Sequence, residues 1–203
     1  MTCRPPSMRM LCGAALLAAC AGPLPAAAAP SAALRFVEQA PLDSATRVID
    51  VRGRKACEQA SLPRARCLPA ADLFEQDGRP VDFHTLRWLL GTIGLGGQEG
   101  VLVVAADARD AAAVGALLVL AGQRAVAVLD RPVAIPAGAQ GGSDRNITRE
   151  AVFTAPMRDL LLVAAPEQAT GTVIASGPPI DRLRRFARRY SDGTQPPRLR
   201  LSP

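Results

Sequence analysis

Residues 101–129 constrain the fold more than any other stretch of this chain. Val101-Leu102-Val103-Val104-Ala105 is a continuous apolar run, the mark of a parallel strand covered on both faces. Asp110 to Ala121 is an apolar helix closed by Gly122, and Ala125 to Leu129 is the next strand. Two strands joined through a helix by connections this short lie parallel, with a right-handed crossover. The spacing predicts an α/β fold, a central parallel sheet flanked by helices. Ligands of such sheets sit beyond the carboxyl ends of the strands. The loop after Val104, where strand meets helix N-terminus, is the first place to look for a site.

Upstream, Arg47 to Arg52 reads as a short buried strand, residues 53–60 as a helical turn, and Ala65 to Pro69 as a second short strand. Asp82 to Leu95 carries Phe83, Leu86, Leu89, Leu90 and Ile93 at helical spacing, with Asp82 as N-cap, and Gly94, Gly96 and Gly97 stop it. Hydrophobic residues make up 49% of the chain but aromatics only 3%. The core is therefore expected from Ala, Val and Leu.

Residues 1–30 read as a targeting segment. Arg4 and Arg9 form a positive start, and Met10 to Ala19 is an apolar stretch too short to span a bilayer. Leu17-Ala18-Ala19-Cys20 resembles the lipobox of bacterial lipoproteins, which makes Cys20 a candidate lipid attachment site and places cleavage before it. The small residues from Pro25 to Ala29 equally suit an ordinary signal peptidase cutting near 26–30. Either route leads to the periplasm or cell envelope.

Charge divides unevenly. Residues 180–203 hold seven Arg against two Asp, while the rest of the chain beyond the leader is close to neutral. A nucleic-acid-binding fold needs a basic face on the domain together with stacking aromatics, so no nucleic-acid partner is expected. The basic residues fall on a predicted helix over 180–190, preceded by Pro178-Pro179. On it Ile180, Leu183, Phe186, Ala187 and Tyr190 share one face, and Arg182, Arg184, Arg185, Arg188 and Arg189 are assigned to the other. Such a helix can dock on the domain with a solvated basic face, or it can lie on anionic lipid. Between the sheet and this helix, Pro136 to Ser143 reads as a loop, and Ala151–Thr154 could pair with Leu160–Ala164 as a hairpin around Pro156. Thr172 to Ala175 is another short strand candidate. The expected layout is a leader over 1–30, a domain over 31–135 and a C-terminal extension over 136–203.

The succession of pieces resembles the rhodanese family, the sulfurtransferase-homology domains. Members carry I-D-V-R, a helical turn, then G-H-I-P-G-A and a short strand ending in Pro. This chain has Ile49-Asp50-Val51-Arg52, seven connecting residues, and then Ala60-Ser61-Leu62-Pro63-Arg64-Ala65-Arg66-Cys67-Leu68-Pro69. Leu86 to Leu95, Val101 to Val104, Ala121-Gly122 and Val126 to Asp130 follow in the family's order. The resemblance covers roughly residues 35–133 and implies a single rhodanese-like domain.

The departures from the family fall on its chemistry. In active members the strand matching Val101–Val104 ends on a nucleophilic cysteine, opening a loop whose N–H groups converge on sulfur or an anion. The matching loop here is Ala105-Ala106-Asp107-Ala108-Arg109-Asp110. Ala105 stands at the nucleophile and Asp110 where an arginine is usual. Ser61 replaces the family histidine, Ala60 and Arg64 replace its glycines, and Arg131-Pro132 replace the glycines after the last strand. The resemblance therefore implies no catalytic residues and a binding or scaffold role, with an unknown protein or small anionic ligand as partner. The alternatives are a sulfurtransferase or thiol-redox enzyme using Cys57 or Cys67, and a membrane-anchored structural partner of an envelope complex.

Cys57 and Cys67 are the only cysteines beyond the leader. In an exported protein they are a disulfide candidate; two buried free thiols and a redox-active pair remain open. Asp50 and Arg52 are expected to form a structural ion pair bracing the neighbouring loop. One histidine, His84, and two cysteines predict neither a metal site nor a cofactor.

Overall fold

The computed structural model describes residues 33–164, 170–193 and 196–201. The expected targeting segment, with the lipid-attachment candidate Cys20, lies outside the described residues. Six strands form one sheet: β1 (Leu34–Val37), β2 (Thr46–Asp50), β3 (Arg66–Cys67), β4 (Gly100–Val104), β5 (Ala125–Leu129) and β6 (Ser143–Asp144). Their order is β1-β5-β4-β2-β3-β6, and every neighbouring pair is parallel. The helices are α1 (Arg54–Gln59), α2 (Phe83–Thr92), α3 (Ala108–Ala121) and α4 (Pro179–Ser191). Two further strands, β7 (Val173–Ile174) and β8 (Arg198–Leu199), pair parallel apart from the main sheet. The protein is thus α/β, with a six-stranded parallel sheet flanked by helices.

The chain runs outward from β2 to β3, then returns past β2 to lay down β4 and β5 on its other side. That reversal puts a topological switch point between the carboxyl ends of β2 and β4, the usual ligand position in open parallel sheets.

Strand β4 shows why the sequence folds this way. Val101 and Val103 enter a large core with Leu86 and Leu90 of α2, Leu117 and Leu118 of α3, and Leu183 and Phe186 of α4. Leu102 and Val104 point to the opposite face, into a smaller cluster with Val48, Leu62, Ala65, Ala127 and Leu129, where Val37, Ala40, Val133 and Ile135 pack from loops. With apolar neighbours on both sides, the strand has no polar face, hence its unbroken apolar run. Helix α3 is buried from Ala111 through Ala121 and is capped by Gly122 at φ 106°. Asp82 caps α2 as expected, accepting from the His84 and Thr85 backbone N–H groups.

Residues beyond 135 belong to the same body. β6 extends the sheet next to β3, and Phe153, Ala155, Ile174, Phe186 and Leu199 enter the large core. The hairpin expected from Ala151–Thr154 and Leu160–Ala164 does not form. Instead residues 146–154 follow the end of α2, with Asn146 N–H donating to the Thr92 carbonyl, Ala151 to Gly91 and Thr154 to Gly96. The last carbonyls of a helix lack intrahelical partners, and this segment supplies them in place of a hairpin.

Candidate functional site at the switch point

Asp50 ends β2 and is fully buried. A carboxylate in that position is costly unless its oxygens are satisfied. Arg52 donates to it from the backbone N–H at 3.0 Å, from Nε at 3.0 Å and from Nη2 at 2.6 Å. The Ser61 hydroxyl donates at 2.6 Å. Arg52 Nη2 also reaches the Ala60 carbonyl at 2.5 Å. The pair therefore braces the end of β2 against the chain at 60–61. Ser61 is itself buried within this brace.

Ala105 follows β4 and is buried as well. Its carbonyl accepts from the Val133 N–H at 2.8 Å, so the segment after β5 crosses the end of β4. Ala106 and Asp107 are exposed; Asp107 caps α3 by accepting from the Arg109 N–H at 2.8 Å. Asp110 receives Arg184 Nη2 from α4 at 2.8 Å, and Arg184 Nη1 binds Asp181 at 2.7 Å. Arg184, from the chain beyond residue 135, thus sets a cation against Asp110. No local pattern announces a contact made across that separation.

Cys57 and Cys67 are joined as a disulfide, with Cα atoms 5.8 Å apart, and both are fully buried. The chain at 140–144 passes directly over them. A Cβ at Gly142 would stand 2.7 Å from Cys57 Sγ and 2.9 Å from Cys67 Sγ, and one at Gly141 would stand 1.7 Å from the Glu58 carbonyl oxygen. Only glycine allows so close a passage. Gly142 N–H donates to the Cys57 carbonyl and Ser143 N–H to that of Ala65. Beside this crossing, residues 61–64 and 136–141 line a cleft of about 480 Å³.

Helix α4 docks on α3 through Leu183, Phe186 and Ala187, each fully buried. The expectation that Arg182 lies on the outer face is corrected. It is 4% exposed and donates to the carbonyls of Ala175 and Leu201. At i,i+4 spacing Arg182 stands beside Phe186 on the helix surface, which turns it inward, where those two carbonyls accept from it. His84 is exposed in the first turn of α2. Among the described residues no three His, Cys, Asp or Glu side chains gather in a way that could hold a metal ion, and no helix is long and apolar enough to cross a membrane.

Comparison of the chain with known protein families, with curated proteins and with solved structures found no match.

Proposed function

We propose that this chain is a rhodanese-like protein of the bacterial envelope that binds a partner and does not transfer sulfur. One observation carries most weight: the residue that follows the central strand β4 at the switch point is Ala105, buried and bonded through its carbonyl to Val133. A sulfane carrier needs an accessible thiolate there. Every cysteine beyond the leader is accounted for by the buried Cys57–Cys67 disulfide, which weakens the alternative of a thiol enzyme built on either residue.

The rhodanese-like identity itself has one backbone observation in its favour. Arg64 stands where the family has glycine, and it alone among the described non-glycine residues has a positive φ, 60°. That left-handed conformation is the one for which glycine is suited. The envelope location rests on the leader and on the disulfide, since such bonds persist in oxidising compartments. A lipid on Cys20 would add a membrane anchor.

The test is a thiosulfate:cyanide sulfurtransferase assay on the purified protein. No turnover above background is expected, and Ala105→Cys alone should add little, because Asp110 occupies the place of the family's arginine. Turnover that disappears in Cys57→Ser or Cys67→Ser would contradict the proposal.

A further inference from the structure

A concavity lined almost wholly by arginines lies between α3 and α4. Arg109 and Ala112 of α3 and Arg184, Arg185, Arg188 and Arg189 of α4 line a shallow cleft of about 300 Å³. The four arginines of α4 fall on two successive turns, so their charges repel one another. Four carboxylates stand near them, Asp192 acting on Arg188 through its charge alone. Asp110 and Asp181 hold Arg184, and Asp130 holds Arg188 through both Nη atoms. Five cations against four anions leave the cleft net positive.

Several of these guanidinium groups are fixed in place. Arg184 also donates from Nε to the Arg109 carbonyl. Arg188 lies over the Phe36 ring, 3.8 Å from its centroid. Arg185 donates to the Ser176 carbonyl. Arg109 is 69% exposed and only 4.0 Å from Asp181. Arg189 is exposed, and its side chain makes no hydrogen bond or ion pair among the described residues. Ala112 is a small, buried residue at the floor and leaves the space between the guanidinium groups open. The arrangement is two loosely committed forks, Arg109 and Arg189, lining the same cleft as anchored cations.

We propose that this cleft binds a phosphate group. Planar guanidinium forks match phosphate oxygens in bidentate geometry, and a cleft lined by one sign of charge concentrates the opposite ion. A phosphate would also relieve the repulsion along α4 that the neighbouring carboxylates offset only in part. The site stands on the α3–α4 seam and does not depend on the rhodanese-like proposal. The phosphate can come from a soluble ion or from a phospholipid headgroup, and the lipid route needs no insertion of α4, whose apolar face is already covered by α3.

The experiment titrates the whole chain with inorganic phosphate by calorimetry at low ionic strength, then sediments it with phosphatidylglycerol and with phosphatidylcholine vesicles. Arg109→Ala/Arg189→Ala removes the two loosely committed forks. Arg47→Ala/Arg124→Ala removes the same charge from exposed positions elsewhere. Saturable binding of one phosphate, weakened about tenfold or more in the first double variant and kept in the second, supports the site. Phosphatidylglycerol-specific sedimentation with the same dependence assigns it to a headgroup, whereas its absence assigns it to a soluble phosphate. No binding of either phosphate or phosphatidylglycerol, or equal weakening in both double variants, overturns it.

Discussion

The body up to Leu129 and the chain that follows it are held by different forces. β4, β5 and α3 are apolar almost throughout, and their residues are buried on every side that another element covers. After Leu129 the strands shrink to two residues each. The chain is fastened there by backbone hydrogen bonds to α2, by a glycine pair over the disulfide, and by arginine–carboxylate pairs from α4. Its largest apolar contribution comes from α4, through Leu183 and Phe186, with Phe153, Ile174 and Leu199 adding single contacts to the core. Hydrophobic burial thus defines the first region, whereas tethering at fixed points defines most of the second.

The comparison breaks most readily at α4. Phe186→Ala empties a fully buried position and should cost about 3–5 kcal/mol, as much as a deletion in the sheet, measured by denaturant unfolding against Leu102→Ala. A loss below about 1 kcal/mol would mean that the extension is peripheral to the core after all. The disulfide comes next. Cys57→Ala/Cys67→Ala opens a loop with a sequence separation of 10 and should cost about 2–3 kcal/mol. Gly141→Ala should cost about 1–3 kcal/mol through overpacking against Glu58, while Gly53→Ala, with nothing near its Cβ position, should change the melting temperature little.

The smallest effect is electrostatic. Hydrogen bonds from Arg188 hold the Asp130 carboxyl below its ordinary value. A depressed folded-state value stabilises above the usual carboxylate range and is lost as pH falls through it. Acidification should therefore lower the melting temperature of Arg188→Gln less than that of the native chain. Equal acid sensitivity in the two would remove this pair from the forces docking α4.

The same division explains what was legible in the sequence. β5 has the bounds expected from Ala125 to Leu129, and α3 and α4 lie within a few residues of theirs, because long apolar runs and helical spacing record burial directly. β1 was missed, as Leu34-Arg35-Phe36-Val37 is a short edge strand with no turn signal to frame it. β6 and β8 carry no side-chain pattern because two residues cannot show a period. At the site, Asp50, Arg52 and the loop Ala105–Asp110 were named from order and spacing. The Ser61 bond to Asp50 and the Arg184 contact with Asp110 were not, since each depends on where separate elements meet. The arginine cleft was visible only as a basic helix face; its second wall, Arg109 and Ala112, comes from α3.

Sulfur loading tests the central claim most directly. The purified protein, incubated with thiosulfate without reductant and examined by intact-mass spectrometry, should show no gain of a sulfur atom, because Ala105 offers no thiolate and the Cys57–Cys67 bond stays closed. A cyanide-labile gain of one sulfur, mapped to Cys57 or Cys67, would show that the chain carries sulfane sulfur and would contradict a purely binding role.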